Sequence, residues 1–220
     1  MNTLTDLFWN YSDSALPGFT LLALLPAFKK VWKQHHLLLL YLAVTCLMMG
    51  VADYMADRGI NNLYLYHMYA LIECSLLVVY VEQLSLNNKK LIFALIGIFF
   101  IYWCINIIFL ESYQSFNGIS LSIESLLISF CCFRYLLSLT QKEEIMFFQK
   151  LPGFWIVSGL LFYHMCSFLI MLLYKNWHFF NDLTPVVIWN IIEVLNLVKF
   201  IIIAIGILCI YRYKSPELFT

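Results

Sequence analysis

Long apolar runs separated by short polar connections follow one another along this chain. Seven runs come close to or exceed the roughly 20 residues that a helix needs to cross a hydrocarbon core: 15–32, 36–56, 61–84, 90–110, 118–139, 153–174 and 184–211. The connections hold the breakers and the polar residues, as in "KKVWKQHH", "DRGINN", "NNKK", "ESYQSFNG", "QKEEIMFFQKLPG" and "KNWHFFNDLTP". None is long enough to hold a domain. The pattern predicts an all-α polytopic membrane protein, a bundle of seven transmembrane helices forming one domain over residues 1–220. The first run is the weakest, because it is short and contains Pro17 and Pro26. A kink or a partly interfacial position is expected there. No inverted or parallel repeat is visible of the kind that builds two-halved transporters.

Composition agrees with the pattern. The chain is 63% hydrophobic and 12% charged, about half the charge of a soluble domain, with a mean hydropathy of +0.84. Net charge is zero, so no global field points to nucleic acid, and no direct nucleic-acid binding is expected. Aromatic residues make up 18%, and Tyr and Trp suit the boundary between lipid and water. The seven cysteines, Cys46, Cys74, Cys104, Cys131, Cys132, Cys166 and Cys209, all fall within apolar runs. They show no CxxC or Cys/His spacing of the zinc type, so they read as small hydrophobes, and neither a metal nor a cofactor is expected. The start, "MNTLTDLFWNYSDSALPGF", lacks the basic segment and cleavage site of a signal peptide.

Charge sets the expected orientation. Ten basic residues fall on one side of the predicted spans: Lys29, Lys30, Lys33, Lys89, Lys90, Arg134, Lys142, Lys150, Arg212 and Lys214. Two, Arg58 and Lys175, fall on the other. By the positive-inside rule the first side is cytoplasmic, which puts the N-terminus outside and the C-terminus inside, in a bacterial inner membrane. Lys199 belongs to neither side.

Several polar residues sit inside the predicted spans. Glu73 lies about 18 Å from the outer boundary, Glu193 about 13 Å and Lys199 about 22 Å, at 1.5 Å per helical residue. His67, Glu124 and Asn190 lie near 9 Å on the same scale, Asn196 falls between Glu193 and Lys199, and His164 is near the midplane. Asp53 and Asn106 are close to the outer face. Such groups are costly against lipid and far less so when they face one another or water, so a shared polar cavity opening outward is the economical reading. On the third predicted helix Tyr66, Tyr69, Glu73 and Tyr80 are spaced to share one face. A hydrogen-bond network that only fixes helix register is the alternative reading of that face. Glu193 and Lys199 are about 120° apart around the seventh helix, so Lys199 is expected to pair with Glu73, the acid nearest in depth. The competing expectation has its stem reaching the cytoplasmic boundary. Ser122, Ser125, Ser129 and Cys132 on the fifth helix, and Gly159, Tyr163 and Cys166 on the sixth, form strips that suit close helix packing.

The stretches "NNLYLYHMYALIE", "FWIVSGLLFYH" and "IWNIIEVLNLVKFIIIAIG" resemble uncharacterised small multi-pass inner-membrane proteins of Gram-negative bacteria. The resemblance covers the third helix onward and implies a helical bundle without an assigned activity. Small membrane proteins of this look can accompany sensor kinases or phage-defence loci, including CRISPR accessory genes, and no residue here selects among those contexts. The leading expectation is a membrane sensor or accessory protein that couples the outward cavity to a cytoplasmic partner docked on the short basic loops. An oligomeric pore or effector, built from copies of the chain in lipid, is the second. An intramembrane enzyme using Glu73, His164 or Glu193 is the third, without any HExxH, GxSxG or paired-Asp motif. A retinal-binding protein is the fourth: Lys199 has the place of the Schiff-base lysine of microbial rhodopsins, but Leu195 stands where they carry an acid, and the middle of the sixth helix lacks the retinal-packing Trp and Pro.

Overall fold

The structure, a computed structural model, describes residues 3–85, 88–141, 148–177 and 184–212. Every regular element among them is helical. Seven α-helices follow in order: α1 Thr3–Leu24, α2 Phe28–Asp57, α3 Leu63–Leu84, α4 Lys89–Ile105, α5 Gly118–Thr140, α6 Pro152–Trp177 and α7 Thr184–Arg212. A 3-10 turn at Leu25–Ala27 joins α1 to α2, and a π turn at Asn106–Leu110 extends α4. Six helices, α2 to α7, are long and apolar enough to cross a membrane. Lys142 and Lys214 of the charge count, and most of the two loops before α6 and α7, lie outside the described residues.

The expected first span over 15–32 is not one helix. Pro26 sits in the 3-10 turn, where its missing N–H removes a helical hydrogen bond, and the span is divided between the end of α1 and the start of α2. α2 kinks again at His35, whose Nδ1 lies 2.9 Å from the Tyr80 hydroxyl of α3. α1 begins instead in the polar N-terminal stretch at Thr3. Successive contacts, Ser12 with Glu193, Asp13 with Asn196 and Ala23 with Tyr211, advance together along both helices, so α1 runs parallel to α7.

The helix ends follow from local chemistry. α2 stops at Gly59, whose φ of 66° lets the Gly59 and Ile60 N–H groups return to Ala56 and Met55 carbonyls at 2.9 Å each, a Schellman-type cap. The Asn88 side chain accepts from Leu91 N at the start of α4, and α6 opens on Pro152, a favoured first-turn residue.

α1, α2, α3, α5, α6 and α7 close a ring, each packed on the next and α7 back on α1. α4 stands outside it against α3, with Phe93, Ile98 and Ile101 exposed. One half of the ring is an apolar core that includes Leu38 and Leu42 of α2, Leu77 of α3, Ile128 of α5, Ile156 and Leu160 of α6 and Ile203 of α7, all fully buried. At the edge of that half Arg134 donates to the buried Glu82 across α3 and α5, at 2.8 Å.

Close approach of α6 and α7 depends on two glycines. A Cβ at Gly159 would lie 3.0 Å from the Lys199 carbonyl oxygen, and one at Gly206 would lie 2.8 Å from Ile156 Cγ1 and 3.0 Å from the Pro152 carbonyl oxygen. Backbone cannot yield as a flexible side-chain end can. Gly206→Val is therefore expected to cost about 1–3 kcal/mol by overpacking, read as a lower unfolding temperature in detergent. Gly97→Ala, with nothing within 4 Å of the added carbon, should leave that temperature unchanged or raise it.

Candidate functional site

The other half of the ring encloses a polar cavity. Its wall takes side chains from all six ring helices and none from α4. Helical periodicity explains the selection, since wall residues recur at three- and four-residue steps on each helix. α3 supplies Tyr66, Tyr69 and Glu73, and α5 supplies Leu121, Glu124 and Ser125. α6 contributes Tyr163, His164, Ser167 and Met171, and α7 contributes Trp189, Ile192, Asn196, Lys199 and Phe200. Asp13 comes from α1, with Thr45 and Met49 from α2. Asp13, Tyr66 and Trp189 are partly exposed, whereas Glu73, Glu124, His164 and Lys199 are buried. The cavity measures about 70 Å³, several times the roughly 10–15 Å³ that one water needs by the same measure.

Lys199 and Glu73 do not touch. No carboxylate oxygen among the described residues lies within 4 Å of Lys199 Nζ. The Tyr41 hydroxyl stands between them: it donates to Glu73 Oε1 at 3.1 Å and accepts from Lys199 Nζ at 3.4 Å. The ammonium also lies 4.1 Å from the Tyr163 ring centroid and 4.6 Å from that of Phe200, within cation–π range. The expected direct pair is corrected to a bridged one, and the snorkelling alternative fails because Lys199 is only 3% exposed. Tyr41 lies within the apolar run LLLLYLAV and carries no signal of its own there, and Tyr163 reads in the sequence as a packing residue.

Around this bridge the polar groups are anchored one by one. Thr45 Oγ1 donates to the Tyr41 carbonyl at 2.8 Å and accepts from the Tyr69 hydroxyl at 2.9 Å. Ser125 Oγ and His164 Nδ1 are 3.3 Å apart. Asn196 Nδ2 donates to Asp13 Oδ1 at 2.6 Å. Five buried atoms on the wall have no hydrogen-bond partner: both carboxylate oxygens of Glu124, His164 Nε2, Ser167 Oγ and Asn196 Oδ1. Their residues are buried to 5% exposure or less. Buried polar atoms are almost always paired with protein, water or a ligand.

Three of the residues expected in a shared cavity lie elsewhere. Glu193 accepts a hydrogen bond from Ser12 in the α1–α7 seam. Asn190 is exposed, about 120° around α7 from Asn196. His67, one residue and about 100° from Tyr66, turns the other way and meets the Ser115 carbonyl at 3.0 Å. There it joins a boundary network in which Trp103 Nε1 donates to the His67 carbonyl and Asn106 donates to Glu111 and Ser120. The connection 111–117 is thereby tied to α3 and α4. Asp13, Thr45, Ser167 and Trp189 were not anticipated. Asp13 precedes the first expected span, and a lone Thr, Ser or Trp in an apolar run carries no signal of its own. Ser125 and Tyr163, read from the sequence as packing residues, face the cavity as well.

No metal-ligand set of three or more His, Cys, Asp or Glu side chains comes together among the described residues. Comparison of the chain with family models, curated proteins and solved structures finds no match. The chemistry of the cavity itself therefore carries the functional reading.

Proposed function

We propose that this chain is a membrane sensor or accessory protein of the bacterial inner membrane. It crosses seven times with its N-terminus outside, and its cavity receives a small polar molecule from the outer side. The observation that carries the reading is the group of five unpartnered buried polar atoms on one wall, drawn from α5, α6 and α7. A network built only to fix helix register would have its donors and acceptors paired, as a partly satisfied one costs more than an apolar core. These atoms are instead left for water or a ligand.

Two features support the direction. The partly exposed wall residues Tyr66 and Trp189 stand in the first turns of α3 and α7, at the end that the charge asymmetry places outside. The apolar core lies across the other half, which supports a cavity closed on that side over a continuous pore. Helices that line the cavity, α2, α3, α5, α6 and α7, extend to the basic cytoplasmic end. A change in their packing around a ligand can thus reach a partner docked on the short loops.

Orientation is tested with reporter fusions. Fusions after Lys33, Lys90 and Lys150 are expected to read cytoplasmic, from the ten-to-two distribution of basic residues. A periplasmic signal at any of the three would turn the cavity towards the cytoplasm and overturn the proposed function.

A further inference from the structure

We infer that the cavity selects a small organic cation carrying N–H donors, a protonated primary amine with a short apolar tail. This deepens the proposed function and rests on it. The formal charge balance of the wall is the first ground, with the acids Asp13, Glu73 and Glu124 against Lys199 and the imidazole of His164. The second is which of these are already engaged. Lys199 is taken by the Tyr41 hydroxyl and two ring faces, Glu73 by the same hydroxyl, and Asp13 by Asn196. An anionic ligand would have to displace Lys199 from this bridge while facing three carboxylates.

Glu124 is different. It is 1% exposed, lines the cavity, and neither oxygen has a partner. Asn196 Oδ1 is a further unpartnered acceptor on the same wall. An ammonium group brings three donors and a charge, which is what a buried carboxylate and an amide oxygen lack. The Tyr66, Tyr69 and Trp189 rings offer apolar faces that also attract cations. A bare metal ion fits less well, because no three carboxylate, imidazole or thiol groups among the described residues converge as ligands.

The test uses the detergent-solubilised protein and three probes of one shape: n-butylammonium, n-butanol and n-butyrate. Thermal unfolding is followed at matched ionic strength. Butylammonium is expected to raise the unfolding temperature by about 5–10 °C at a hundredfold excess over its Kd, with little change from the other two. Glu124→Gln, which keeps the shape and removes the ionisable acid, should abolish the shift. Tetramethylammonium, which has charge but no N–H, should shift the protein much less than butylammonium. An equal or larger shift with butyrate or butanol would overturn the amine assignment while leaving a ligand-binding cavity in place. An undiminished shift in a folded Glu124→Gln protein would overturn the role of Glu124. No shift with any probe would overturn both this inference and the binding function beneath it. The wild-type comparison stands even where the variant does not fold.

Discussion

Lys199→Met and Glu73→Gln should each cost about 3–5 kcal/mol when made alone, because each leaves a buried charge without its counterpart. Made together they should cost much less than the sum. Both side chains are buried, at 3% and 6% exposure, and they communicate through the Tyr41 hydroxyl at 3.4 and 3.1 Å. Tyr41→Phe therefore adds a third arm to the cycle. It removes two hydrogen bonds to charged groups, each worth about 1.5–3 kcal/mol, and the coupling between positions 73 and 199 should fall with them to its through-space remainder. Unfolding of the single, double and triple variants in detergent measures all of this. Simple additivity would remove the pair altogether. Coupling unchanged in the Phe background would mean that the two groups meet directly, without the bridge.

Removing residues 2–24 should be the most damaging change to the bundle. α1 is polar for a membrane helix and is not among the six that qualify by length and apolarity, yet it closes the ring between α2 and α7. Its Leu24 is fully buried and Ser12 and Thr20 are buried as well. Without it Glu193 loses Ser12 and Asn196 loses Asp13, and the cavity opens sideways to lipid. An intramembrane charge turned towards lipid costs about 2.5–3.5 kcal/mol on insertion scales. Exposing two or three such groups approaches the entire stability of a typical domain, about 5–15 kcal/mol. The shortened chain is expected to insert but not to yield a folded, monodisperse protein. An unfolding temperature equal to that of the full chain would reduce α1 to a dispensable arm and leave a six-helix protein.

Much of the architecture was legible in the apolar runs. The expected limits of the last five helices lie within a few residues of α3 to α7, since a run of lipid-compatible residues ended by Gly, Pro, Asn or charge admits few alternatives. The N-terminal region was not legible. Its mixture of Asp, Asn, Ser and Thr hides a helix whose Tyr11, Ser12 and Asp13 side chains are partnered from α2 and α7, and such partnering depends on tertiary contacts. For the site, spacing on α3 correctly grouped Tyr66, Tyr69 and Glu73 on one face, while Tyr80, seven residues further on, reaches the α2 kink at His35 instead. Depth along a helix says nothing of its rotation. That is why Asn190 and His67, at suitable depths, face away from the cavity, and why Glu193 ended in a seam.

The proposed cavity is reached from the outer side. Ser167 is the place to test it: the residue is 2% exposed, its Oγ is unpartnered, and it lies on the cavity wall. Cys166 is half-buried and off that wall, so it provides an internal control. Intact cells carrying Ser167→Cys are treated with a membrane-impermeant charged thiol reagent, and the α6 peptide is read by mass spectrometry. Modification of the introduced thiol from outside is expected, with Cys166 unmodified, and a cationic reagent should react more slowly when Glu124→Gln removes the acid on the wall. Modification only in inverted vesicles, or none from either side, would contradict access from outside.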